Sequence, residues 1–115
     1  ALSSCQSDVI FLSDQDDIWI RDKAKIVAQH LQSRKIDIRE PVLLFSDLEV
    51  VNDQLTPISP SLWKLSRFTI PETQDEQLKT LMVQNFVTGA GSVVTRKLVE
   101  MARPFPPNIT MHDHW

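Results

Sequence analysis

The sequence is short of several things. In 115 residues it has one cysteine, Cys5, and two glycines, Gly89 and Gly91. A single cysteine excludes an intrachain disulfide framework and a cysteine-rich zinc site, and it fits a reducing compartment. No apolar run approaches the roughly 20 residues that span a bilayer as a helix. The opening ALSSCQS has neither a basic stretch nor a long apolar core, so it does not read as a signal peptide. Excess positive charge is missing too. The formal net charge is −3, which gives no electrostatic footprint for nucleic acid. What remains, 42% hydrophobic and 23% charged, is ordinary for a globular chain with a core. The length suits one domain or part of one. Two features favour a part: Ala1-Leu2-Ser3-Ser4-Cys5 reads like the end of a helix already under way, and Trp115 is a large apolar residue at a terminus.

Hydrophobic periodicity divides the chain. Val9 to Leu12 is a short continuous apolar run, which predicts a strand buried on both faces, the kind typical of parallel sheets. From Asp22 to Arg34, Ala24, Val27, Ala28 and Leu31 recur at helical spacing and predict an amphipathic helix. After Pro41, Val42 to Phe45 predicts a second buried strand that ends at Ser46-Asp47. The stretch from Asn52 to Pro60 is turn-rich. Ser61 to Phe68 has no clear period. Asp75 to Gln84 predicts a helix with Leu78, Leu81 and Met82 on one face. Gly89 and Gly91 precede Ser92-Val93-Val94, which predicts close backbone approach and then a third strand. Lys97 to Ala102 predicts a short helix ended by prolines. This alternation argues for an α/β fold.

The first strand ends in SDQDD, Ser13 to Asp17. In open α/β sheets, ligands sit beyond the carboxyl ends of the strands. Hard divalent cations take oxygen ligands, and Mg²⁺ often takes one or two carboxylates plus substrate phosphates. In an extended stretch Asp14 and Asp16 would point one way and Asp17 the other. One reading is a D-x-D site for a metal and a phosphorylated ligand. The plainer reading is a solvated loop in which Asp17 caps the following helix. An EF-hand loop is excluded, because Ile18, Trp19 and Lys25 stand where Asp or Asn, Gly and Glu are needed. A phosphatase of the haloacid dehalogenase type would use Asp14 as nucleophile; Asp16 fits that pattern and Ile18 does not.

A second constellation is Met111-His112-Asp113-His114-Trp115. A carboxylate between two imidazoles suits a general base or a metal site, and equally a polar surface loop. Cys5 reads as a packing residue and His30 as a residue of the helix's solvated or boundary face. Trp19 and Trp63 read as anchors, although Trp19 beside the acids could flank a sugar or a base. Arg96-Lys97 reads as the start of a solvated helix face.

Four blocks in order resemble the family 2 glycosyltransferases, nearest to the bacterial rhamnosyltransferase-like group that builds cell-surface polysaccharide. They are SDQDDIWIRDK from Ser13 to Lys23, LLFSDLEVVND from Leu43 to Asp53, NFVTGAGSVVTRKLVEMARPFP from Asn85 to Pro106, and HDHW from His112 to Trp115. Gln54 to Glu72 matches no block. The resemblance implies a GT-A fold, Rossmann-like, with a mixed central sheet flanked by helices. Residues 1–115 would form a partial domain, from the D-x-D region to the catalytic-base motif, with the nucleoside-binding strands upstream. It implies Mg²⁺ or Mn²⁺ held by Asp16 and Asp14, with Asp14 touching the donor's ribose or the metal's surroundings. Gly89, Ala90, Gly91, His114 and Trp115 would line the acceptor side. Asp113 would be the base of an inverting transfer. The implied partners are a nucleotide sugar and a saccharide or lipid-linked acceptor, with no nucleic acid. The implied place is the cytoplasm, peripherally at the inner face of the plasma membrane.

The chain departs from the family where Arg21 replaces a usual Pro, Ala90 a frequent Cys, and His114 a usual aromatic. Two other readings stay beside this one: a phosphoryl-transfer enzyme of the dehalogenase type, and a non-enzymatic interaction domain.

Overall fold

The computed structural model describes residues 4–105. In chain order its elements are β1 (Val9–Phe11), α1 (Lys23–Ser33), β2 (Leu43–Phe45), β3 (Val50–Val51), β4 (Pro57–Ser59), α2 (Leu62–Leu65), α3 (Gln74–Leu81), β5 (Ser92–Thr95) and α4 (Arg96–Met101). It is a small mixed α/β arrangement. The helix suggested by Ala1 to Cys5 lies largely outside the described residues, and Cys5 itself is not helical.

The main sheet has the order β1-β5-β2. The expectation of a mixed central sheet with parallel pairing is corrected here: both pairings in this sheet are antiparallel. β5 runs antiparallel to both neighbours, with Ile10 opposite Val94 and Leu44 opposite Val93. β1 and β2 are therefore parallel to each other, and β5 lies between them in reverse. Val-rich runs pack well in either direction, so their composition does not fix strand polarity. All four residues of β5 are buried, as befits a central strand covered on both faces.

On one face Ile10, Val94 and Val99 form the core, with Cys5, Leu12, Leu98 and Phe105 packed around it. Cys5 is thus a packing residue. Phe45, at the end of β2, meets Trp63 and Phe86 edge to face, with ring centroids 6.1 and 5.5 Å apart. The Trp63 Nε1–H donates to the Phe86 carbonyl at 3.0 Å, so Trp63 is an anchor.

α1 packs loosely. It has no buried residue. Val27 and Leu31 of the predicted stripe are half-buried, whereas Ala24 and Ala28 are exposed. A cavity of about 270 Å³ lies between Ile26, Val27 and His30 of the helix and Leu44, Phe45 and Val93 of the sheet. The α3 stripe is corrected more strongly: Leu78 is 64% and Met82 82% exposed. Thr73 caps that helix by accepting from the Glu76 amide, and the Glu76 carboxylate accepts from the Thr73 hydroxyl. Local capping, more than burial, explains why this segment is helical.

The turn-rich stretch forms the turn and second strand of the β3–β4 hairpin, with Leu55 in the left-handed region at φ 61°. Arg96 does more than begin a solvated face. Its guanidinium donates to the Cys5 and Ser7 carbonyls at 2.9 and 2.8 Å and ties the N-terminal segment to α4. Among the described residues no helix is long and apolar enough to cross a membrane.

Candidate functional site

Because β1 and β2 are parallel, their carboxyl ends lie at the same end of the sheet, beside the start of β5. Two backbone bonds fix this junction. The Leu12 amide donates to the Ser92 carbonyl and the Ser46 amide to the Gly91 carbonyl, each at 3.1 Å. The acidic turn, Ser46-Asp47 and the loop Gly89-Ala90-Gly91 are thereby brought together.

The acidic stretch is a tight turn, which corrects the extended geometry expected for it. The Asp17 amide approaches the Asp14 carbonyl at 3.4 Å, and the Asp17 carboxylate accepts from the Asp14 amide at 3.0 Å. Asp17 therefore closes its own turn and does not cap α1, whose N-cap is Asp22. The turn residues Ser, Asp and Asn commonly fold back on nearby amides in this way. Asp14 and Asp16 are exposed, and their carboxylates have no hydrogen-bond or ion-pair partner among the described residues. Two free carboxylates on a turn fit a hard cation that takes its other ligands from water and phosphate. Among the described residues no three His, Cys, Asp or Glu side chains gather as a metal cage.

The loop before β5 is shaped by contact. A Cβ on Gly91 would stand 2.6 Å from the Ser46 carbonyl oxygen and 3.1 Å from the Thr88 hydroxyl. Glycine is required there for space; its φ is not in the left-handed region. The Ser92 amide donates to the Gly89 carbonyl at 2.9 Å and closes the loop as a turn. The Thr88 hydroxyl oxygen is buried with no hydrogen-bond partner among the described residues.

Asp47 braces the site from the β2 side. Its carboxylate accepts from the Ser61 hydroxyl, from the Leu48 amide at 2.8 Å and from the Trp63 amide at 3.1 Å. Burial pushes the Asp47 carboxyl up, but the hydrogen bonds from Ser61, Trp63, Leu48 and Leu62 outweigh it and hold the group below the usual carboxylate range. Asp47 thus ties the start of α2 to the end of β2, and Trp63 reaches on to Phe86. The sequence carries only a faint local signal for this role, an acid directly after a strand.

Lys23 leaves no such signal. Its ammonium donates to the Ala90 carbonyl at 2.7 Å and lies 4.4 Å from the centroid of the Trp19 ring. Trp19 packs against Phe11, with centroids 5.3 Å apart. Trp19 is consequently held as an anchor with partners of its own. His30 lines the α1 cavity and is exposed.

His112, Asp113, His114 and Trp115, the predicted base and acceptor residues of the last block, lie outside the described residues. Comparison of the chain with protein-family models, curated proteins and solved structures gives no match.

Proposed function

We propose that this chain is part of a metal-dependent, inverting glycosyltransferase of the GT-A type, carrying the donor-metal turn and the acceptor-side loop. The observation that supports this most is the meeting, at one end of an antiparallel sheet, of a turn with two unpartnered carboxylates and a glycine-containing loop. These are the two blocks that the resemblance assigns to donor and acceptor. On this reading Asp16 and Asp14 hold Mg²⁺ or Mn²⁺, which supplies Lewis-acid stabilisation to the departing nucleoside diphosphate. Gly91 lets the loop lie against the end of β2, so an acceptor hydroxyl presented there is close to the donor's sugar. Asp113 takes the proton from that hydroxyl as its oxygen attacks the anomeric carbon.

Exposed apolar side chains support a larger whole. Ile18 is 68%, Ile20 66% and Ile58 61% exposed. The nucleoside-binding half of the enzyme would belong upstream of β1. The donor sugar, rhamnose or another, and the cell-surface polysaccharide or glycolipid acceptor follow from the resemblance alone, as does a cytoplasmic site at the inner membrane face.

The test is turnover and donor affinity of the intact enzyme with Asp113→Asn. A general base contributes typically 10²–10⁴-fold, so turnover falls by about that factor while donor binding survives. His112→Ala and His114→Ala are measured beside it. Loss of turnover in a histidine variant, with Asp113→Asn active, removes Asp113 from this role.

A further inference from the structure

Lys23 joins the two halves of the candidate site. It is the first residue of α1, yet its ammonium bonds to Ala90, 67 residues away in the chain. The connection leading to it from the acidic turn is open to solvent at Ile18 and Ile20, and α1 buries no residue. Two contacts reach from this segment to the end of the sheet. Trp19 rests on Phe11, and Lys23 bonds to Ala90 across the Trp19 ring.

A charged group is a costly choice for packing. Burial lowers the Lys23 pKa, and the nearby Asp17 charge offsets part of that. No carboxylate pairs with Lys23 within salt-bridge distance among the described residues. An apolar side chain of the same length would cover Trp19 without this desolvation. What it would lack is the bond to Ala90.

Building on the proposed assignment of the acidic turn to the donor metal and of the glycine loop to the acceptor, we propose that Lys23 is a positioning residue. It adds a side-chain tie to the two backbone bonds that already close the junction and so tightens the spacing of turn and loop. Its aliphatic stem lies along Trp19 and its ammonium holds the Ala90 carbonyl, so that turn and loop form one rigid unit. A misplacement of about 1 Å at such a junction is enough to cost a transfer reaction on the order of 10²-fold.

Mn²⁺ alone serves as the probe, because its paramagnetism broadens the NMR signals of nearby amides. In the native chain Mn²⁺ broadens Asp14 to Asp17 and also Ala90 and Gly91. In Lys23→Met the acidic turn is still broadened, while the broadening at Ala90 and Gly91 weakens; Lys23→Arg restores it. Broadening in Lys23→Met that matches the native chain at every position overturns the role of Lys23 and leaves the metal assignment standing. Absence of broadening at Asp14 to Asp17 in the native chain overturns the metal assignment and this role with it. If Lys23→Met fails to fold, the native chain decides. A scalar coupling across the hydrogen bond from Lys23 Nζ to the Ala90 carbonyl carbon supports the tie, and its absence overturns it.

Discussion

Ser46 and Gly91 meet backbone to backbone. The Ser46 amide donates to the Gly91 carbonyl at 3.1 Å, and a Cβ on Gly91 would stand 2.6 Å from the Ser46 carbonyl oxygen. The obstacle is main chain at the end of a strand, which cannot turn aside as a flexible side chain would. Gly91→Ala is therefore destabilising by about 1–3 kcal/mol, the range for forced overpacking. Urea unfolding checks this: the midpoint falls while the slope stays the same. An unchanged midpoint would mean that the two backbones separate without cost.

Scarcity of glycine has a second consequence, at helix ends. After α1 the Ile36 amide bonds to the Leu31 carbonyl at 2.9 Å and the Lys35 amide to Gln32 at 3.1 Å. This is a Schellman ending, which needs a left-handed residue at Lys35. Lys35 supplies it at φ 52°. Such a backbone costs a residue with a Cβ about 1–2 kcal/mol. Glycine recovers this, less what its freer unfolded chain takes back. Lys35→Gly is expected to stabilise the chain by about 0.5–1 kcal/mol, read as a raised urea midpoint. A lowered midpoint would show that the Lys35 side chain contributes more than its backbone costs.

Asp47 gives the chain a pH dependence of definite sign. Burial raises its pKa, but hydrogen bonds from Ser61, Trp63, Leu48 and Leu62 lower it further, so the folded value lies below the unfolded one. Its contribution is then fully present above the unfolded value of about 3.9. It is lost as the pH falls through the folded value. Native stability should therefore decline in that acid window, and Asp47→Asn should flatten the decline while lowering stability near neutral pH. Urea titrations of both chains across the window make the comparison. Equal acid slopes would remove Asp47 from the account.

Much of this was legible in the residues, and the remainder failed for physical reasons. Apolar runs located β1, β2 and β5 within a residue or two, because a buried strand must be apolar whatever its neighbours. The same runs hid the reversed direction of β5, since Ser92-Val93-Val94 packs equally well either way. Asp14 and Asp16 stood out by their charge, but the turn geometry depends on the Asp17 carboxylate reaching the Asp14 amide. The predicted stripe of α1 is only half used, because Ala24 and Ala28 face solvent while the cavity separates the helix from the sheet. Lys23 and Asp47 were missed for a common reason. Each acts through partners far off in sequence, Ala90 in one case and Ser61 and Trp63 in the other, and spacing along the chain carries no trace of such contacts.

On the proposed reading the acidic turn holds the metal for sugar transfer. Mn²⁺- or Mg²⁺-dependent transfer from a nucleotide sugar by the intact enzyme, native beside Asp16→Ala, decides this. Asp16 is exposed and has no hydrogen-bond or ion-pair partner among the described residues, so its removal should leave the fold as it was. Transfer should be abolished, because the departing diphosphate loses its Lewis acid. Full activity of Asp16→Ala at ordinary metal concentration would contradict the account.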